Sequence, residues 1–310
     1  MHSLLDGLPN SDLANNPRVL VTVLSYNSPA QTLQTLRSLS RQTYKNFHLL
    51  LIDNASSVEF GSLLSEEFPE LEIKRLPVNL GYTGGFNVAL DQGLSAGYDY
   101  VLLCNHDIEV DKDALSNLIE TAQLDPQSGI IGGVEVDAHT GIERAHKGAK
   151  FSLWTGHSPW ISATKITSLA CRVFCVHGAL VLISARALQT GIRFDEQLFM
   201  YYDEVDLGFQ LQERGLKAYV DQRVKFIHKR LSTEYSPVVG YLMHRNRAYV
   251  IGKHGKWYHK LFYQLYAPLF ELPAKYCLRS LQGHNQYAGA CFRGHLDGLG
   301  NRMGAPLWSK

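Results

Sequence analysis

No stretch of the 310 residues approaches the ~20 consecutive apolar residues of a membrane-spanning helix. The opening, MHSLLDGLPNSDLANNP, has no apolar core of a secretory leader. The expectation is a cytoplasmic protein, soluble or peripheral at a membrane. Cysteines number five, Cys104, Cys171, Cys175, Cys277 and Cys291, an odd count without paired metal-ligand spacing. That reads as reduced, buried thiols in place of a disulfide framework or zinc knuckle. No hydrolase elbow, dinucleotide G-x-G-x-x-G, P-loop Lys-Ser/Thr or nucleic-acid-binding motif occurs, and no repeat or low-complexity tract. Net charge is nearly absent, at +1, but it is unevenly spread. Residues 1–221 hold 16 Lys+Arg against 26 Asp+Glu, a net of −10, and residues 222–310 hold 14 against 3, a net of +11. The C-terminal quarter is therefore a basic surface suited to phosphates, anionic lipid or nucleic acid.

What is present is an alternation. RVLVTVLSYN (18–27), FHLLLIDNAS (47–56), EIKRLPVN (72–79), YVLLCNHD (100–107) and SGIIGGVEV (128–136) read as strands. Helical patterns lie between them, from Ser28-Pro29 onward, over 60–69, over 84–97 and in KDALSNLIETAQL. After a non-periodic stretch, RVFCVHGALVLISARAL gives a strand leading into a helix. Residues 194–215 read as a helix stopped by Gly215, and KAYVDQRVKFIHK as a strand ending near His228. With 45% hydrophobic residues the chain can build one large domain of this kind or two modest ones. The alternation implies an α/β fold with a parallel, doubly wound sheet, in which ligands bind beyond the carboxyl ends of the strands. That rule gathers Asn27, Asp53, Asn54, Asn79 to Gly85 and Asp107 on one edge.

Three constellations could carry chemistry. In YDYVLLCNHDIEVD the strand runs into Asn105-His106-Asp107, and a carboxylate there with His228 at another strand end can hold a divalent cation alongside ligand phosphates. The alternative is that Asp107 caps a following turn and His228 is a satisfied strand-end histidine. Asp203-Glu204-Val205-Asp206 puts three carboxylates at a helix start, where mutual repulsion raises a pKa toward general-base use; first-turn acids are also ordinary helix chemistry. In NLGYTGGFN, Gly81, Gly84 and Gly85 let backbone approach a ligand, or simply make a turn.

Taken in order, VTVLSYN, LLIDNAS, NLGYTGGFN, LLCNHD, HGALVLISARAL, FDEQLFMYYDEVDLGFQLQERG, FIHK and YLMHRNRAYV resemble an inverting glycosyltransferase of family 2, rhamnosyltransferase-like branch, over roughly 18–255. The tail GHLDGLGNRMG is similar too. The resemblance implies the GT-A (Rossmann-like) fold: a mostly parallel central sheet flanked by helices in 18–255, an N-terminal extension (1–17), and a basic, aromatic helical extension (256–310). It implies that Asp53 and Asn54 hold the donor base, with Tyr26-Asn27 lining the same pocket, and that Asn79 and the Gly81–Gly85 loop shape the nucleotide-sugar pocket. Asn105-His106-Asp107 stands where the family has D-x-D, which makes Asp107 the main ligand of Mg2+ or Mn2+ and His228 a further one. The leading Asn removes one negative charge from that motif. The family's Glu-Asp pair is reversed here to Asp203-Glu204, placing Glu204 as catalytic base with Asp203 its rival, and Arg245 would meet a phosphate. The implied substrates are a dTDP- or UDP-linked sugar and a saccharide or lipid-linked acceptor. LFMYY, Trp154 and Trp160 would face sugar rings and exclude water.

HGKWYHKLFYQLYAPLFELPAKYCLRSL mixes aromatics with basic residues, as helices at a membrane surface do, and equally as a dimer interface or packed subdomain does. No nucleic-acid partner is expected. A sugar-phosphate nucleotidyltransferase would carry a Gly-rich basic motif after its first strand, and SYNSPAQ is not one. A non-catalytic carbohydrate-binding module of the same fold is the other rival.

Overall fold

The computed structural model describes residues 16–58, 60, 64, 66–137, 143, 150–159, 169–229 and 235–306. Much of the helix expected over 60–69, the N-terminal extension up to residue 15, and Trp160 lie outside the described residues.

The sheet begins with β1 (Val19–Ser25), every residue of which is buried. A strand covered on both faces needs β-branched and aliphatic side chains throughout, and VLVTVLS supplies them. It pairs in parallel with β2 (Phe47–Asp53) and β4 (Tyr100–Asn105), and β2 carries β3 (Glu72–Arg75) in parallel at the sheet margin. On the far side of β4 the sheet becomes mixed, mostly parallel as the resemblance implies but with antiparallel strands. β8 (Leu180–Ser184) runs antiparallel to both β4 and β6 (Ser128–Val136). β6 pairs in parallel with β9 (Lys217–His228), which also takes β5 (Ile108–Val110) and β7 (Ala170–Val173) antiparallel. Six of these nine strands share one direction. β5 follows β4 after only His106 and Asp107, with no helical crossover to carry the chain back, and so runs opposite to β4.

Helices cover both faces. α1 (Pro29–Ser40) and α3 (Ala114–Gln123) bury Leu36, Leu39, Leu115, Leu118 and Ile119 on one side. α2 (Gly81–Ser95), α4 (Ala185–Gln189) and α5 (Asp203–Glu213) bury Phe86, Leu90, Leu188, Leu207 and Leu211 on the other. Each such side chain contributes roughly 1.5–3 kcal/mol by leaving water. The helix expected over 194–215 is shorter: a single 3-10 turn at Glu196–Leu198, an irregular loop, then α5.

The C-terminal part is a helical layer: α6 (Pro237–His254), α7 (Trp257–Tyr266), a π-helical turn (Ala267–Glu271), α8 (Leu272–Leu281) and α9 (Asn285–Leu299). α9 lies directly on α6, because a Cβ at Gly294 would fall 2.2 Å from the Tyr241 carbonyl oxygen and one at Gly298 2.2 Å from that of Arg245. No described helix is long and apolar enough to cross a membrane.

Candidate active site

β1, β2, β4, β6 and β9 point the same way, so their carboxyl ends bring Asn27, Asp53, Asp107, Glu135 and His228 to one edge of the sheet. β8 runs the other way, so the residues leading into it, His177 and Gly178, reach that edge from the opposite end.

At the β1–β2 end, Asp53 is buried; its Oδ1 accepts the Ser56 N–H at 2.9 Å and its Oδ2 lies 3.5 Å from Arg75 Nη1. Arg75 also donates to the Ser56 carbonyl at 2.7 Å. Asn27 sits in the left-handed region (φ 54°), donating its N–H to Ser56 Oγ and accepting the Ser57 N–H on Oδ1. Tyr26 beside it is exposed. Asn54 donates to Asn79 Oδ1 and the Gly81 carbonyl and accepts the Leu80 N–H, while Asn79 Oδ1 accepts the Gly81 N–H. These two asparagines therefore fix the turn into α2. Packing accounts for the glycines, in place of the ligand approach read from the sequence. Gly81 has φ 71°, and a Cβ there would fall 2.3 Å from the Phe199 carbonyl oxygen. At Gly85 it would meet Leu24 Cδ1 at 2.6 Å, and at Gly84 Leu80 Cβ at 2.7 Å.

At the β4 end the chain stops extending at Asn105, whose N–H donates to the Ala179 carbonyl, and turns through His106 and Asp107 into β5. Thr35 Oγ1 donates to the carbonyls of His106 and Ile108, and the Lys229 N–H to that of Asp107, which fixes the turn. The residue at the N-cap of the following helix, α3, is Asp113, not Asp107. His106 turns its Nδ1 to within 3.3 Å of the Leu24 carbonyl. The Asp107 side chain instead meets His228: Oδ1 lies 3.2 Å from His228 Nε2 and, though buried, has no hydrogen-bond partner. Burial pushes the Asp107 carboxyl up, but the His228 and His106 imidazoles outweigh it and hold the group below the ordinary value of 3.8. His228 Nδ1 lies 3.6 Å from Glu135 Oε1, and Glu135 Oε2 lies 3.5 Å from His177 Nε2. Glu135, His177 and His228 place one ligand atom each within 4.8 Å of one another. An ionised carboxylate oxygen without a hydrogen-bond partner beside an imidazole nitrogen suits a divalent cation that also takes phosphate oxygens.

The acid pair arrives on an unusual loop. Phe199, Tyr201 and Tyr202 all take positive φ (65°, 70° and 63°) just before α5. Non-glycine residues in this region cost about 1–3 kcal/mol each and persist only when held. The holding is visible: Asn246 Nδ2 donates to the carbonyls of Leu198, Met200 and Tyr201, and Arg245 donates to those of Leu198 and Gly304. Gly304 in turn donates its N–H to the Gln197 carbonyl. Arg245, expected at a phosphate, is buried with its guanidinium on these carbonyls and on Asn246 Oδ1, so a phosphate contact would require breaking them. Asp203 is buried, and its carboxyl is raised well above 3.8 by burial and by the Glu204 charge. Burial likewise raises Glu204 above 4.5. Asp206 differs from both: Lys253, His254 and Gln210 surround it at 2.7 Å and hold its carboxyl down against the effect of burial.

The two clusters meet at the turn before β8. His177 faces Glu135, while a Cβ on Gly178 would lie 3.1 Å from the Tyr82 hydroxyl and 3.9 Å from Asp203 Oδ2. The Tyr82 hydroxyl donates to the Gly178 carbonyl at 2.6 Å. Leu198, Phe199 and Tyr202 of LFMYY are buried, and Tyr202 donates to the Gly156 carbonyl. Trp154, about half exposed, packs on Tyr258, His259 and Phe262 of α7.

Among solved structures, the chain is similar to a mannosyltransferase of Pyrobaculum calidifontis in complex with GDP-Man and Mn2+, at TM-score 0.60 and 15% identity, over 94% of this chain and 89% of that one. It is similar also to GalNAc-T7 with UDP, GalNAc and Mn2+, at TM-score 0.61 and 14% identity, over 86% of this chain but only 58% of that one. These neighbours are GT-A glycosyltransferases, and the fold is theirs. In sequence the chain is 25% identical over 262 residues, 77% of its own length and 85% of the relative's, to an N-acetylglucosaminyl-diphospho-decaprenol L-rhamnosyltransferase of Mycobacterium tuberculosis. The profile of "Glycosyl transferase family 2" matches residues 20–190, the span holding Asp53, Asp107, Glu135 and His177, and the chain belongs to that family.

Proposed function

We propose that the protein is a metal-dependent, inverting glycosyltransferase that moves a sugar from a nucleotide-diphosphate donor to a saccharide or lipid-linked saccharide in cell-surface polysaccharide synthesis. The observation carrying this reading is a site with two kinds of carboxylate: Asp107, held ionised beside His228, and Glu204, raised by burial. Asp53, Arg75 and Asn27 would line the donor's nucleotide end, with the exposed Tyr26 ring beside them. Asp107 and His228 would hold Mg2+ or Mn2+, which when bound neutralises charge growing on the departing diphosphate. Glu204 accepts the proton of an acceptor hydroxyl as that oxygen bonds to the anomeric carbon. The bond from that carbon to the diphosphate oxygen breaks, and the nucleoside diphosphate leaves with the electron pair. A single displacement inverts the configuration. A base with a raised pKa takes up the proton more readily.

The donor of first choice is dTDP-rhamnose, in line with the rhamnosyltransferase relative, with a UDP-hexose second. The test is thermal unfolding with UDP, dTDP, GDP and CMP, each with and without Mn2+. A ligand at 100 times its Kd adds about 2.7 kcal/mol of stability. One nucleotide should stabilise only with metal, and Asp107→Ala should abolish the effect. Stabilisation by none would remove the metal-diphosphate site and favour a binding module.

A lipid-linked acceptor would be met at the inner face of the plasma membrane. Trp257, Leu261, Leu265 and Leu269 recur every fourth residue along α7 and the π-turn, all exposed, with Phe270 beside them and Lys256 and Lys260 nearby. An apolar stripe of this kind on the basic quarter of the chain suits an anionic bilayer. Co-sedimentation with phosphatidylglycerol vesicles should occur and should fall with Trp257→Ser plus Leu265→Ser. Concentration-dependent dimerisation without co-sedimentation would assign the stripe to a second copy of the chain.

A further inference from the structure

We propose that Glu135 is the positioning residue for the metal ligand His228, with His177 as its brace. The inference rests on the metal reading above and concerns groups that neither the Asn-His-Asp turn nor the acid pair contains. The side chains of Asp107 and His228 are 14% and 9% exposed, that of His177 is 11%, and that of Glu135 is 2%. Glu135 is thus the deepest of the four, with His228 and His177 on either side of it and Asp107 the most exposed.

The hydrogen positions follow from the partners. The Ala179 N–H points at His177 Nδ1 at 3.1 Å, so that nitrogen is an acceptor, and the proton of a neutral ring sits on Nε2. Nε2–H then faces Glu135 Oε2 at 3.5 Å. His228 thus meets a carboxylate at each ring nitrogen, Glu135 Oε1 at 3.6 Å from Nδ1 and Asp107 Oδ1 at 3.2 Å from Nε2, so a cation shared by Asp107 and Nε2 would leave Nδ1–H facing Glu135. Carboxylates behind metal-bound histidines act in this way: they fix the tautomer and ring plane and make the ligating nitrogen more basic. Glu135 braces two imidazoles with one carboxylate, and His177 keeps that carboxylate from rotating away. In this arrangement Glu135 and His177 do not touch the metal, although their spacing alone would also allow a Glu-His-His ligand set.

The experiment is Mn2+ titration of the full chain with UDP or dTDP present, read by EPR of the free ion, then pulsed EPR of the bound ion. Glu135→Ala should weaken Mn2+ binding by roughly 10- to 100-fold. Glu135→Gln, which keeps an oxygen to accept the His228 Nδ1–H, should recover most of that loss. One imidazole nitrogen should couple to Mn2+ in the unaltered protein, in Glu135→Gln and in His177→Gln, and none in His228→Gln. Two coupled imidazole nitrogens, or equal losses in Glu135→Gln and Glu135→Ala, would make His177 or Glu135 a direct ligand and overturn the proposal. Unaltered affinity in Glu135→Ala would overturn it while leaving the metal reading intact. Absence of Mn2+ binding by the unaltered protein would remove both. Should Glu135→Ala fail to fold, the milder Glu135→Gln and the His177→Gln coupling decide the matter.

Discussion

Asp107, at a strand end, and Glu204, in the first turn of α5, are tuned in opposite directions. Both are desolvated, and desolvation alone would raise both. The outcome is decided by neighbours: Asp107 has His228 and His106 beside it and stays below its ordinary value, whereas at Glu204 burial prevails and the group stays above. On the proposed reading, the group that would hold a cation has partners that favour its charge, and the group that would accept a proton does not. Asp206 repeats the lesson two residues on, where Lys253 and His254 return a carboxylate to the first class.

The contrast breaks most visibly in turnover. Glu204→Gln should lower sugar transfer by about 10²- to 10⁴-fold, the usual worth of a general base, while leaving Mn2+-dependent nucleotide binding in place. Asp107→Ala should lose both. Single-turnover transfer assays paired with nucleotide titrations separate the two, and retained transfer in Glu204→Gln would return the base to Asp203. Next in size is Asp206→Asn, which takes the 2.7 Å ion-pair partner from His254 and one of two from Lys253, the other being Asp195. Removing one partner of a buried pair costs about 3 kcal/mol, the lower part of the usual range because Lys253 is partly exposed. Asp206 is held below 3.8, so its stabilisation is present above that pH and is lost as pH falls through the folded value. The deficit of Asp206→Asn in thermal unfolding should therefore shrink in acid.

The smallest effect has the opposite sign. Glu204 is held above 4.5, so the fold favours its protonated form, and that contribution is lost as pH rises through the raised value. Glu204→Gln should accordingly unfold at a higher temperature than the parent at pH 7 and at the same temperature below pH 4.5. The rise is on the order of 2 °C for each kcal/mol of penalty removed. Equal melting temperatures at both pH values would mean that Glu204 is not poised as argued.

The strand ends and the Asp107–His228 apposition were legible because both follow from where apolar runs stop. The direction of β8 was not, since alternation carries no sign and only the connection sets it. Glu135 and His177 were passed over because each sits inside an apolar segment, IIGGVEV and FCVHGALV. A charged residue in a strand buried on both faces must find a partner, and that incongruity was the available signal. The partners lie 42 and 93 positions away along the chain, beyond the reach of any local pattern. Arg245 misled for the converse reason: an arginine in a polar motif suggests phosphate, and only the strained loop beside it reveals that its donors are already engaged.

The bond from the Gly304 N–H to the Gln197 carbonyl, with Arg245 closing onto the Gly304 carbonyl, has a bearing on biosynthesis. The sheet and its Asn105–Asp107 turn are complete once His228 has been made, and can condense while translation continues. The backbone that aims Asp203 and Glu204 cannot settle until α6 has formed and the residue-304 turn has come off the ribosome. The nascent enzyme would thus acquire its capacity to hold a donor before its capacity to react with one, and incomplete chains would be born silent.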